Sequence, residues 1–281
     1  MKLMKHIGRG LQQGFRFRRI AGYILLVQLL LATLIGILAY NYIQDSIGHT
    51  TQLMKIINGY DHDVFQDLLL FESTGWEMIK AFSWVVIFLY LIIGPFIMGG
   101  LLKSFKEQED HWYIFWAGGS HYYFSFLRLN LIIIICLALI FAILGAIGVF
   151  FTFYGLQHFL TELPILYVSA LLIVLFVFTG IIFISASTRA KWLILREEVK
   201  TWKAFISGLK EVKSKLFHYL FLGLIFLLIT IGFAVLINFL INNINESGFL
   251  LVLLALGLQV FALFVRVCLR NGYYAAILMD E

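Results

Sequence analysis

Charged residues are scarce in this sequence. Only 13% of its 281 residues are charged, whereas 62% are hydrophobic. A soluble domain carries roughly a quarter charged residues and under half apolar ones, so an ordinary soluble globular protein is excluded. The two prolines exclude a proline-rich or disordered chain, and Cys136 and Cys268 lie in or beside apolar runs, as buried thiols do. The sequence therefore predicts an all-α integral membrane protein without a disulfide framework.

Six apolar runs are long enough to cross a bilayer. A membrane-spanning helix needs about 20 mostly apolar residues, and polar connections separate the runs. We number them spans one to six: 20–43, 81–102, 129–154, 164–185, 216–240 and 249–269. Span one is about twice as long as the apolar region of a signal peptide, and no A-x-A site follows it. We therefore expect a retained six-span bundle.

Basic residues are distributed unevenly between the connections. All of the 21 Lys and Arg residues except Lys55 and Lys80 lie before span one, between spans two and three, between spans four and five, or near the end of span six. Connections rich in Lys and Arg stay in the cytoplasm, so we expect a protein of the cytoplasmic membrane with both termini cytoplasmic. The net charge of +5 then reflects the basic residues that set the topology and contact anionic lipid, and we expect no nucleic-acid partner.

A short motif recurs at equivalent places in the chain. W-x-x-F-x-x-G follows spans two and four, and a degenerate copy precedes span one: Trp112, Phe115 and Gly118; Trp202, Phe205 and Gly208; Met4, Ile7 and Gly10. The i, i+3 spacing puts the first two residues of each copy on one helix face. The pattern predicts one membrane domain, 1–281, of three repeat units, 1–110, 111–198 and 199–281. Each unit is a cytoplasmic amphipathic helix in the headgroup plane followed by a hairpin of two spans.

The outer connection of the first unit, 44–80, is the longest. Its apolar residues recur at helical spacing with acids between them, which predicts one or two amphipathic helices on the outer membrane surface. Asp61, His62 and Asp63 lie in this connection. A solvated turn explains this cluster better than a divalent-cation site, which is the alternative.

Motifs for catalysis and metal binding are missing from the sequence. The seven histidines show neither an H-E-x-x-H nor an H-x-x-x-H spacing, and no C-x-x-C or G-x-S-x-G occurs. These spacings are what zinc sites and nucleophile elbows need. We therefore expect no catalytic residue, no metal and no cofactor, and we expect that the chain is not an enzyme.

Three hairpins, each introduced by a helix with the W-x-x-F-x-x-G motif, resemble a broad group of bacterial six-span integral membrane proteins. This group includes uncharacterised families and the membrane domain attached to some glycerophosphodiester phosphodiesterases, whose soluble catalytic domain has no counterpart in this chain. The resemblance covers nearly the whole chain. It implies a six-span fold in a bacterial inner membrane, and it implies no common activity.

Four basic side chains lie at similar depth in the predicted bundle. Arg19, Arg128 and His218 stand at the start of spans one, three and five, and Arg266 lies about one helical turn inside the end of span six. If the hairpins pack around a shared axis, these side chains converge at headgroup depth. Cationic donors there would bind an anionic lipid headgroup. The alternative is ordinary positive-inside anchoring, in which each basic side chain reaches the cytoplasmic interface on its own.

The leading function hypothesis is a non-catalytic membrane protein, a scaffold or an accessory or assembly subunit, with a protein partner at its cytoplasmic face. The alternative is a transporter or lipid-handling protein that binds an amphipathic or anionic ligand between hairpins, and a membrane enzyme is a third reading. No acid lies near the middle of a span, which argues against ion-coupled transport. Membrane lipids, anionic ones included, are the expected partners.

Overall fold

The computed structural model describes residues 2–47, 73–158, 163–243 and 249–279. These residues form eight α-helices and no strand, which confirms the predicted all-α class. In chain order the helices are α1 Lys2–Arg16, α2 Arg18–Ile47, α3 Ser73–Glu107, α4 Trp112–His158, α5 Leu163–Glu197, α6 Thr201–Ser214, α7 Leu216–Asn242 and α8 Phe249–Leu278. The Asp61–His62–Asp63 cluster and most of the predicted outer helices lie outside the described residues.

Six of these helices are long and apolar enough to cross a membrane: α2, α3, α4, α5, α7 and α8. Each contains one of the six predicted spans, so the six-span prediction is confirmed. Several helices continue well past their apolar run, and α4 has 47 residues. Pro95 lies inside α3 without ending it, since neighbouring groups can satisfy the carbonyl that a proline leaves unpaired.

Contacts divide the chain into two compact units. One comprises Met1–Gly22 and Pro95–Glu281, and the other comprises Tyr23–Gly94. The smaller unit exposes large apolar side chains such as Leu30 and Trp84, as helices surrounded by lipid do. The larger unit contains every site described below. A single membrane domain stays a prediction.

The core of the larger unit lies where its helices carry basic residues. Its largest fully buried apolar side chains are Phe17, Ile20, Leu101, Leu102, Ile114, Phe126, Leu129, Leu195, Tyr219 and Leu222. Packing is sparse farther along the spans. Only 6% of the most apolar stretch of α4 and 11% of that of α5 are buried. We call the packed region the basic end of this unit.

Three motif glycines bring helices into backbone contact at the basic end. Each faces a backbone carbonyl and the residue four positions later on a neighbouring helix: Gly10 faces Gly272 and Ala276, Gly118 faces Gly99 and Lys103, and Gly208 faces Ala186 and Ala190. A Cβ on these glycines would lie 2.6, 2.5 and 2.7 Å from its nearest neighbour, respectively. The same contact therefore joins α1 to α8, α4 to α3 and α6 to α5.

The aromatic residues of the motif divide between surface and core. Trp112 and Trp202 are 62% and 60% exposed, whereas Phe115 and Phe205 are each 5% exposed. Phe115 packs over Gly100, where a Cβ would lie 2.4 Å from the ring. The two phenylalanines are therefore core residues of the basic end, whereas the two tryptophans lie on its surface, and their placement among lipid headgroups stays a prediction.

Candidate functional site

A cleft of about 910 Å³ opens between α4, the end of α5 and the start of α6. We call it the α4–α6 cleft. Its polar side chains are His121, Ser125, Arg128, Glu198, Lys200 and Thr201, its aromatic ones are Tyr122 and Trp202, and its apolar ones are Leu131, Ile132, Ile194 and Val199. Charged, aromatic and apolar groups thus meet at one place, which suits an amphipathic ligand.

One wall of the cleft is a single face of α4. His121, Ser125, Arg128 and Ile132 are spaced as i, i+4, i+7 and i+11, so a straight helix presents them together. The chain bends at Phe17, between α1 and α2, and at Lys215, between α6 and α7, each seven residues after a motif glycine. Ser125 follows Gly118 by the same interval, yet α4 runs through it unbroken. The helix predicted to precede span three is therefore continuous with it, so the four residues lie on one uninterrupted helix.

The opposite wall is the sharp connection from α5 to α6. The N–H of Glu198 donates to the carbonyl of Ile194 at 3.1 Å, and Glu198 has a φ of 52°. This left-handed conformation ends many helices and usually falls on glycine. The chain then turns so that Glu198 and Lys200 both line the cleft.

The cleft also receives the start of α6. Lys200 is the N-cap residue, no side chain of the described chain caps the helix, and its first turn contains no acid. The first N–H groups of a helix have no partner within the helix, and together they carry about half a positive charge. With Arg128 and Lys200 on the same cleft, these donors favour an anion.

A second polar cluster, Arg189, Glu211 and Tyr219, fastens α5 to α6 and α7. Arg189 is 1% exposed. Its Nε donates to the Tyr219 hydroxyl at 3.0 Å and lies 3.3 Å from Oε1 of Glu211. The sequence predicts that Arg189 lies in the connection between spans four and five, but α5 continues to Glu197, so this arginine lies within the helix packing. The cluster stabilises the basic end, and the buried Lys191 is a second cation that sequence reasoning missed.

The four side chains predicted to bind an anionic headgroup have different surroundings. Arg128 is exposed and lines the α4–α6 cleft. Arg19 is exposed at the start of α2, and Arg266 is exposed on α8. His218 is half-buried, with its ring centroid 5.5 Å from that of His6. The structure therefore places Arg128 in a cleft that does not include the other three among its lining residues, and a shared pocket stays a prediction.

No group of three His, Cys, Asp or Glu side chains in the described ranges could hold a metal ion. Because Asp61, His62 and Asp63 lie outside those ranges, the absence of a metal stays a prediction for the chain. The α4–α6 cleft itself contributes one histidine and one acid, His121 and Glu198.

No protein family, no curated protein and no solved structure matches this chain. The six apolar helices nevertheless define its class, because a folded chain exposes that much apolar surface only in a bilayer. The protein is a multi-pass integral membrane protein. The resemblance to the membrane domain attached to some glycerophosphodiester phosphodiesterases stays a prediction.

Proposed function

We propose that this protein is a non-catalytic membrane protein that holds the phosphate of a phospholipid in the α4–α6 cleft. One observation carries the proposal: Arg128, Lys200 and the start of α6 line the same cleft of about 910 Å³ as Leu131, Ile132 and Ile194. A phospholipid combines a phosphate, which the basic groups can bind, with acyl chains, which the apolar side chains can contact. The proposal assigns no chemical step to the chain.

The phosphate half of the site is built from three kinds of donor. Arg128 offers a planar guanidinium that can donate two parallel hydrogen bonds to phosphate oxygens. Lys200 offers a mobile ammonium group, and the N–H groups at the start of α6 offer fixed donors with a favourable dipole. A hydrogen bond to a charged group contributes about 1.5–3 kcal/mol.

The apolar half continues toward the membrane interior. Leu131 and Ile132 follow Arg128 on α4, and they begin the apolar run of span three. An acyl chain attached to a phosphate at Arg128 would lie along this face. The exposed Trp202 belongs at the same level, since tryptophan is enriched where headgroups meet hydrocarbon.

We also propose that the cleft faces the cytoplasm and lies between the second and third of three repeat units. The uneven distribution of Lys and Arg supports the orientation. The equivalent contacts of Gly10, Gly118 and Gly208 support the repeat. Because α1 also contacts α8, each proposed repeat contacts the other two, and these contacts lie within the larger compact unit.

The proposal can be tested by replacing the two basic side chains that line the cleft. The variant Arg128→Gln with Lys200→Gln should retain at least tenfold less phospholipid per protein after mild detergent purification, measured by native mass spectrometry. The matched control is Lys203→Gln with Lys213→Gln, which removes two exposed charges on α6 that do not line the cleft. An equal loss in both variants, or no loss in either, would refute the proposal.

A scaffold or accessory subunit is the second candidate function. The sparse burial of the apolar stretches of α4 and α5, 6% and 11%, favours it, because a partner's membrane helix could cover these faces. A stoichiometric protein that co-purifies in mild detergent and is lost on replacing exposed residues such as Leu139 and Ile173 with alanine would support this function. Retention of lipid in the α4–α6 cleft without any such protein would favour phospholipid binding as the function.

A further inference from the structure

Glu198 lines the same cleft as Arg128 and Lys200, so the cleft carries charges of both signs. Within the described ranges, no ion pair joins Glu198 to either cation. We propose that the bound phospholipid is zwitterionic, with its phosphate against Arg128 and Lys200 and its ammonium group against Glu198. This inference rests on the proposed function and narrows the ligand to one headgroup class.

Glu198 ends α5 in a backbone conformation that usually falls on glycine. Glu198 and Gln108 are the non-glycine residues with positive φ in the described chain, a conformation that glycine adopts without strain. Both follow the end of a long helix and precede a motif tryptophan by four residues. At Gln108 the side chain is engaged: its Nε2 donates to the Phe105 carbonyl at 2.6 Å, and its Oε1 accepts from Arg16 at 3.3 Å. Glu198, by contrast, is exposed and lines the cleft.

Two aromatic side chains line the cleft beside this carboxylate, Tyr122 and Trp202. The ring of Tyr122 is held by an edge contact with His121 at 4.7 Å and by stacking on Phe126 at 5.9 Å. Aromatic faces attract ammonium groups through their quadrupole, and a carboxylate adds the opposite charge. The cleft thus holds a set of groups suited to an ammonium as well as a set suited to a phosphate.

The experiment compares two lipids with identical acyl chains. Delipidated protein receives equimolar phosphatidylethanolamine and phosphatidylglycerol, and native mass spectrometry counts each bound species. We expect the wild-type protein to retain the zwitterionic lipid in at least fivefold excess, and Glu198→Gln to bring the ratio close to one. The matched control Glu197→Gln, at an exposed neighbour that does not line the cleft, should keep the wild-type ratio. Soluble glycerophosphoethanolamine should not compete at equal concentration, because it lacks acyl chains.

A second variant separates binding from folding. Glu198→Gly should lose the preference in the same way, while its melting temperature stays equal or rises, because glycine relieves the positive φ. An unchanged ratio in Glu198→Gln, a wild-type preference for phosphatidylglycerol, or equal competition by the soluble headgroup would overturn the inference. If retention of both lipids still depends on Arg128 and Lys200, the proposed function stands and only the headgroup class is wrong. If retention of both lipids does not depend on Arg128 and Lys200, the proposed function itself is wrong.

Discussion

Alanine substitutions at Gly8 and Gly10 should have different effects on stability, although the two residues are two positions apart in α1. Gly8 is exposed, and a Cβ there would meet nothing within 4 Å. A Cβ on Gly10 would lie 2.6 Å from the Cβ of Ala276 and 2.7 Å from the carbonyl oxygen of Gly272. Alanine is favoured over glycine in a helix by about 1 kcal/mol, so Gly8→Ala should stabilise the protein by about that amount.

Gly10→Ala gains the same helix propensity but forces α1 away from α8. Overpacking of this kind costs about 1–3 kcal/mol, so this variant should be less stable than Gly8→Ala by roughly 1–3 kcal/mol. Each kcal/mol corresponds to a shift of roughly 2–4 °C in a protein of this size. Thermal unfolding of both variants in the same detergent measures the difference. Equal melting temperatures would show that α1 does not dock on α8.

Two further predictions concern the basic end. Arg189→Gln removes the charged hydrogen bond to Tyr219 and the ion pair with Glu211, so it should lower the free energy of unfolding by about 1.5–3 kcal/mol. The control Lys203→Gln, on the exposed face of α6, should change it by less than about 0.5 kcal/mol. Equal melting temperatures for the two variants would contradict the role of the cluster. Lys203→Cys in an otherwise cysteine-free chain should react with a membrane-impermeant maleimide only after the cells are permeabilised, because the basic connections are proposed to be cytoplasmic. Labelling of intact cells would reverse the orientation.

The six spans were predictable because a bilayer imposes one strong requirement, about 20 apolar residues for each helix. The ends of the helices were not, since no local signal shows that α5 continues through Arg189 to Glu197. Arg189 therefore read as a solvated residue, whereas tertiary contacts with Tyr219 and Glu211 bury it.

The candidate site was predictable only in part. The depth of Arg128 at the start of span three pointed to headgroup contact, and the helical spacing from His121 to Arg128 could have shown that both share a face. The meeting of that face with Glu198 and Lys200 depends on where α5 and α6 pack, which is a non-local property. The left-handed conformation of Glu198 was also hidden, because no glycine marks the end of α5.

Photo-crosslinking can show whether a phospholipid headgroup occupies the α4–α6 cleft. A phospholipid with a photoreactive group beside its phosphate is incorporated into membranes that contain the protein, and the adducts are mapped by peptide mass spectrometry. If the cleft binds the headgroup, adducts should concentrate on residues 121–132 and 194–202, and they should be reduced in the variant Arg128→Gln with Lys200→Gln. Adducts spread along the exposed faces of the spans, with none enriched in those two segments, would contradict it.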